Sequence, residues 1–197
     1  MKFVLATANP GKINEMREIL SQLGFDIVTR RELGIDIDVA ETGATFLENA
    51  TLKARAICSV AGMPAIADDS GLCIDALGGA PGLDSSSFGG DSLDDEGRCE
   101  YLLDLMRDME QRSAKFVSTI VCVFPDGRLL TAAGECRGEI AAVPGGSGGF
   151  GYDPVFIAEG TGKTMAELPP EEKNERSHRG KALRNFALLL SECTNIS

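Results

Sequence analysis

Residues 2–13 read Lys2-Phe3-Val4-Leu5-Ala6-Thr7-Ala8-Asn9-Pro10-Gly11-Lys12-Ile13. The apolar run is short and strand-like. Pro10-Gly11 then turns the chain into a helix on which Ile13, Met16, Ile19, Leu20 and Leu23 recur at helical spacing, closed by Gly24. Residues 25–28 read as a second strand. A second helix is expected over 45–61, with Phe46, Ala50, Ala54, Ile57 and Val60 on one face and Thr45 and Glu48 at capping-box spacing. Residues 64–67 form a buried-strand candidate that ends at Asp68-Asp69-Ser70, and 72–75 form another. A Gly/Ser-rich loop (78–90) leads to a helix over 95–109 with Tyr101, Leu102, Leu105 and Met106 as its apolar side. Strands over 116–124 and 129–136 flank Pro125-Asp126-Gly127 as a β-hairpin. A Gly-rich loop (144–151), a strand near 155–157 and a helix from about 177 to 191, turning Leu183, Phe186, Ala187 and Leu190 inward, complete the pattern. Strand–helix alternation at the front and a long hairpin in the middle indicate one α/β domain over 1–197, built on a mixed sheet.

The chain has 197 residues, with 19 Lys plus Arg against 30 Asp plus Glu, a net charge of −11. That acidity argues against nucleic acid or an anionic membrane as partner, yet leaves room for a small anionic substrate in a locally basic cleft. No apolar run reaches the length of about 18 residues that a membrane helix needs. The N-terminal run turns polar at Thr7, too soon for a signal peptide, so a cytoplasmic location is expected. The six cysteines form no CxxC pair and read as reduced thiols. His178 is the single histidine, which removes HExxH-type zinc sites and leaves little room for a Ser-His-Asp machine. Oxygen ligands are then the expected kind for any metal, favouring Mg²⁺ or Mn²⁺.

Four clusters carry candidate chemistry. Thr7-Ala8-Asn9-Pro10-Gly11-Lys12 joins the first strand to the first helix, where free N–H groups and a Lys suit phosphate; it is not a Walker A loop, and a plain strand-to-helix turn is the other reading. Asp68-Asp69-Ser70-Gly71 puts two carboxylates at the end of a buried strand, which is costly unless a cation compensates them. Glu41 is a candidate third ligand, while Asp-Asp-Ser-Gly is also ordinary turn chemistry. In the stretch 145–154 the glycines would let backbone approach a flat ligand on which Phe150 or Tyr152 stacks; a mobile surface loop is the alternative. Gly145-x-Ser147-x-Gly149 matches a nucleophile elbow only formally, since no helix follows it. Lys173 with Ser177-His178-Arg179-Gly180 offers donors for carbonyl or phosphate oxygens, or simply a charged helix start.

Together these pieces describe a nucleoside triphosphate site without a P-loop, and their order resembles the inosine triphosphatase or Ham1-like family over essentially the whole chain. The matching stretches are Leu5 to Lys12, Glu41-Thr42-Gly43-x-Thr45-Phe46-x-Glu48-Asn49-Ala50 with Lys53-Ala54, and Ala67-Asp68-Asp69-Ser70-Gly71-Leu72. Beyond them lie Leu77-Gly78-Gly79-Ala80-Pro81-Gly82, Gly148-Gly149-Phe150-Gly151-Tyr152-Asp153-Pro154, and Ser177-His178-Arg179-Gly180-Lys181-Ala182-Leu183. The resemblance implies a homodimer, an elongated mixed sheet flanked by helices, and two lobes with a central cleft. It implies Mg²⁺-dependent hydrolysis of ITP, dITP and XTP to monophosphate and pyrophosphate, cleansing the nucleotide pool, with Mn²⁺ as a substitute metal.

Carried over by position, Thr7, Ala8, Asn9, Pro10, Gly11 and Lys12 would contact the triphosphate, with Lys53 and Ser70 on the substrate. Glu41 and Asp69 would hold Mg²⁺, and Asp69 would also accept the proton of the attacking water. Phe150, Gly151, Tyr152, Asp153, Lys173, His178 and Arg179 would surround the base. One stretch departs from the family: Asp84-Ser85-Ser86-Ser87 stands where bacterial members commonly carry Tyr-Ser-Ala-Arg, losing an aromatic residue and a cation. Arg98 is a candidate replacement. A nucleotide-binding sensor of weak activity on the same fold is the alternative function.

Overall fold

The computed structural model describes residues 1–194. Six strands form one sheet: β1 (Lys2–Leu5), β2 (Asp26–Thr29), β3 (Ala65–Ile74), β4 (Ser113–Val123), β5 (Leu129–Ile140) and β6 (Phe156–Ala158), in the order β2-β1-β3-β4-β5-β6. The helices are α1 (Pro10–Gln22), α2 (Phe46–Ala61), α3 (Asp95–Leu105), α4 (Pro170–Arg176) and α5 (His178–Thr194). β1 pairs parallel with β2 (Val4 opposite Val28) and with β3 (Leu5 opposite Ile66). β5 pairs antiparallel with β6, Gly138 opposite Ala158. The link from β4 to β5 is too short for a parallel crossover, so those strands form a hairpin, tightened where Gly127 N–H donates to the Phe124 carbonyl. The sheet is mixed, and the fold is α/β.

Two compact units share the chain. The first holds Met1–Asp69, Ser118–Gly134 and the residues from His178 on; the second holds Ser70–Val117 and Glu135–Ser177. In the first unit the strands are buried on both faces, and their period-2 alternation sorts residues into two cores. Phe3, Leu5, Ile66, Ile120 and Cys122 pack with Met16 and Leu20 of α1 and Leu183 and Phe186 of α5. Val4, Ala6, Ala65, Ala67 and Val121 pack with Ala50, Ala54 and Ile57 of α2. Small residues on both sides let α2 approach closely. Phe3 also meets Phe25, Phe124 and Phe186 at ring centroid distances of 5.4–6.5 Å. Each such side chain contributes about 1.5–3 kcal/mol of burial. The second unit has its own core of Leu72, Ile74, Leu102, Met106, Phe116, Ile140, Phe156 and Met165.

Several expectations are corrected. Residues 65–74 form one unbroken strand, so Asp68-Asp69-Ser70-Gly71 lies inside β3 and is not a turn. The partners of the two carboxylates, described below, let extended backbone persist where sequence chemistry favours a reversal. α3 ends at Leu105, not at 109, and leaves Tyr101 and Leu105 largely exposed. Val60 of α2 is exposed as well. The short α4 is absent from the hydrophobic pattern because its residues are mostly charged. The six cysteines form no disulfide among the described residues, and burial pushes the thiols of Cys99 and Cys122 up to about 12, which makes them inert. No helix among the described residues is long and apolar enough to cross a membrane.

Candidate active site

In the first unit, strand alternation sends the two adjacent aspartates to opposite faces of β3. Asp68 shares the face of Ile66, toward α1 and α5, and Asp69 shares that of Ala65 and Ala67, toward α2.

Asp68 is fully buried and satisfied from three elements. Its Oδ1 accepts from Ser118 Oγ at 2.5 Å. Its Oδ2 lies 2.8 Å from Lys12 Nζ and 3.1 Å from Arg179 Nη2. Burial alone would raise its pKa, but Arg179 and Lys12 outweigh that and hold the carboxyl well below the usual range. Arg179 reaches Glu15 Oε2 with its other terminal nitrogen at 2.5 Å and is itself only 2% exposed. Two cations and two carboxylates thus close a neutral set among α1, β3 and α5. Gly134 of β5 makes room for the first turn of α5, since a Cβ there would collide with the His178 carbonyl and Ala182 N.

Lys12 stands at the start of α1. Pro10 takes the first helical position, and Asn9 Oδ1 accepts from Lys12 N–H at 3.0 Å, the capping arrangement expected of a Pro-led helix. Thr7 is buried, with its hydroxyl accepting from Asn9 N–H, while Ala8, Asn9 and Pro10 are exposed. The helix N-terminus therefore meets solvent with a lysine beside it.

On the other face of β3, Lys53 Nζ lies 2.7 Å from Asp69 Oδ1 and 2.8 Å from Glu41 Oε2. Burial, with the neighbouring Glu41 carboxyl, lifts the Asp69 carboxyl to about 6 against the pull of Lys53. Glu41 is lowered: burial opposes ionisation there too, but the Lys53 hydrogen bond and charge prevail. Lys12 contributes its field to both. The loop carrying Glu41 is tied down by α2: Asn49 Oδ1 accepts from Gly43 N–H at 2.8 Å and Glu48 Oε2 from Ala44 N–H at 2.6 Å. Thr45 caps the helix by accepting from Glu48 N–H, so Glu48 reaches back one residue earlier than a capping box requires. One ammonium faces two carboxylates, which leaves the pair short of one positive charge. Hard oxygen donors with a charge deficit would suit a hard divalent cation such as Mg²⁺.

The second unit carries the aromatic cluster. Asp153 Oδ2 accepts from Phe150 N–H at 2.8 Å and pairs with Lys173 Nζ at 2.5 Å, both side chains nearly buried. The same ammonium sits 5.1 Å from the centroid of the half-buried Phe150 ring. Gly149 has φ +72°, and a Cβ on it would overlap the Asp153 carboxylate, so only glycine fits there. The Gly-rich stretch is pinned: Gly145 N–H donates to the Pro154 carbonyl, Gly148 N–H to the Ala166 carbonyl, and Gly151 N–H to Asp95.

Three of these side chains find their partners within the protein. Tyr152 is buried with its hydroxyl donating to the Ser85 carbonyl at 2.9 Å. Arg179 directs its terminal nitrogens at Glu15 and Asp68. Arg98 holds the carbonyls of Phe88, Gly90 and Leu93, so it does not replace the cation lost at Ser87. Asp84 is exposed, and Ser87 is half-buried at the end of a 3-10 turn. His178 is buried at the first residue of α5, and Ser70 is half-buried on β3. Glu15, Asp68 and Ser118 were missed as site residues. Asp68 stood in plain view, and a strand reading across it would have split the pair.

Comparison with known proteins places the chain in a family. The model of the Ham1 family matches residues 3–188. A protein of Thermus thermophilus named dITP/XTP pyrophosphatase is 50% identical over 186 residues, covering 93% of this chain and 89% of the relative. One of the same name from Pectobacterium atrosepticum is 48% identical and covers 98% of each. The solved structure of a HAM1 protein from Coxiella burnetii superposes with a TM-score of 0.87 at 41% identity, covering 98% of this chain and 99% of that one. With a family match over almost the whole length and a fold shared with solved members, this chain belongs to the Ham1 family.

Proposed function

We propose that the protein hydrolyses non-canonical purine nucleoside triphosphates (ITP, dITP and XTP) to the monophosphate and pyrophosphate. The relatives named above support this reading, and the observation that carries it is the Glu41–Lys53–Asp69 arrangement beside Lys12 at a helix start. Glu41 and Asp69 would hold Mg²⁺, or Mn²⁺ in its place. When bound, that cation neutralises charge on the phosphate oxygens and acidifies water in contact with it. The exposed N-terminus of α1 (Ala8, Asn9, Pro10, Gly11) and Lys12 bind and orient the polyphosphate. The water oxygen bonds to phosphorus while Asp69 accepts its proton, the bridge between the first and second phosphates breaks, and pyrophosphate leaves. Thr7 and Asp68 hold the residues that touch phosphate. The face of Phe150, backed by Lys173 and Asp153, takes the flat base, with Ser70 and His178 as polar contacts. We assign the active form to a homodimer in the cytoplasm, checked by light scattering and fractionation.

The deciding measurement is product analysis with ITP, dITP, XTP and ATP in the presence of Mg²⁺. Pyrophosphate equal to the monophosphate formed, with ITP and XTP well above ATP, supports the proposal. Release of single phosphates, or equal turnover of ATP, overturns it. Tight ITP binding without turnover would make the protein a sensor. Asp69→Asn keeps the shape and removes the base, so it should abolish pyrophosphate release with an unchanged circular dichroism spectrum. Full activity in that variant removes Asp69 from the mechanism.

A further inference from the structure

Lys53 is an unusual neighbour for a metal site. Its ammonium sits within hydrogen-bond distance of both Asp69 and Glu41, 2.7 and 2.8 Å away. Its side chain is 12% exposed and that of Asp69 10%, so water screens that pair weakly, while Glu41, 45% exposed, closes the site on the solvent side. The ammonium therefore occupies the point where the negative potential of the pair is deepest. That is also the point a hard divalent cation held by both carboxylates would take. Both cannot stay, because three positive charges gathered within about 4 Å repel strongly in a poorly screened site.

We infer that Lys53 is the resident counter-ion of this site in the metal-free protein, and that a divalent cation binds by displacing it. The inference rests on the assignment of the metal to Glu41 and Asp69. The exchange needs no backbone movement: Lys53 rides on the third turn of α2, and its four-carbon stem swings by rotamer changes alone. Lys53 keeps the carboxylates from facing each other uncompensated when no metal is present, and its release turns a free ammonium toward incoming phosphate. Metal affinity is then set by competition with a tethered cation. Removing the charge of Lys53 should strengthen metal binding, whereas loss of a residue that supported metal binding would weaken it.

The test is Mn²⁺ binding to the full nucleotide-free chain, followed by the electron paramagnetic resonance signal of free Mn²⁺, for wild type, Lys53→Met and Glu41→Gln. Lys53→Met should bind roughly tenfold more tightly or better, and Glu41→Gln should bind more weakly than wild type. If Lys53→Met binds equally or more weakly while Glu41→Gln is impaired, the displacement idea is wrong and the metal assignment stands. If Glu41→Gln binds like wild type, the metal assignment fails and takes this inference with it. A second measurement uses wild-type protein only, so misfolding of a variant cannot obscure it. Acetylation of Lys53 by a water-soluble succinimidyl ester, read by peptide mass spectrometry, should be slow without metal and several-fold faster at saturating Mn²⁺. A rate that does not change at saturation overturns the displacement.

Discussion

At the scale of single residues, adjacent aspartates divide two tasks because a strand alternates its side chains. Asp69 faces Glu41 and Lys53, and Asp68 faces Lys12 and Arg179. Arg179 balances charge inside this unit, so Arg179→Ala should raise KM for ITP and ATP by similar factors and lower stability. Removing one partner of a buried pair costs about 3–5 kcal/mol because the other charge is left behind. A selective loss for ITP, measured as the ratio of kcat/KM values, would restore a base-reading role to Arg179. The two aromatic residues of the Gly-rich stretch separate in the same way. Phe150→Leu should raise KM tenfold or more, since stacking on a base contributes about 1–3 kcal/mol. Tyr152→Phe loses one neutral hydrogen bond to Ser85, about 1 kcal/mol of stability by urea unfolding, and should leave KM within twofold. The reverse pattern would show that Tyr152 meets the ligand.

At the scale of elements, the start of α1 couples local capping to phosphate binding. Asn9 supplies the acceptor for Lys12 N–H, and the same backbone places the Lys12 side chain beside Asp68. Asn9→Ala should cost about 1 kcal/mol, or a Tm drop of about 2–4 °C for a chain of this size. It should also raise KM for ITP. Asn9→Ser keeps a capping oxygen and should recover most of the stability, measured by thermal unfolding; a serine variant as unstable as the alanine one would show that the cap is not the cause. α5 depends on a different device, the missing side chain of Gly134. Gly134→Ala drives a methyl group into backbone of the helix start that carries His178 and Arg179. That turn must shift, and circular dichroism melting should show a larger loss than Asn9→Ala produces.

At the scale of the whole molecule, an acidic chain stays folded by holding selected carboxylates ionised in strong local fields. The pKa of Asp68 lies well below the ordinary value, with Arg179 and Lys12 overcoming its burial. That of Glu32 falls to about 2, chiefly through the Thr29 backbone N–H and then Arg17. A depressed folded pKa means the unfolded chain binds protons first as pH falls. The stability from both groups is present above their unfolded values near 4 and is lost as pH falls through their folded values, about 2 for Glu32. Urea midpoints should therefore rise modestly from pH 7 to 5, where Asp69, lifted to about 6, takes up its proton in the folded chain first, and decline steeply below 4. In Asp68→Asn the acid slope should flatten, with lower stability at pH 7 because Lys12 and Arg179 lose their shared partner. An unchanged slope would mean that other groups carry the acid sensitivity.

Hydrophobic period and turn chemistry determined most of the fold from sequence alone: both long helices of the front half, the hairpin, the α/β class and the Asn9-Pro10-Gly11 helix start are local signals, each set by a few neighbouring residues. The residue types of the site were equally legible, since paired aspartates, a helix-start lysine and a Gly-rich aromatic stretch stand out in a chain with one histidine. The partners were not. Whether Asp68-Asp69 turns or runs extended depends on cations from residues 12, 53 and 179, and it is the folded chain that brings these to β3. The partners of Arg179, Tyr152 and Arg98 are set in the same way, by acceptors distant in sequence or on neighbouring loops that take up their donors. A side chain's type is written in the sequence, but the electrostatic field it sits in is a sum over neighbours that only the tertiary structure assembles.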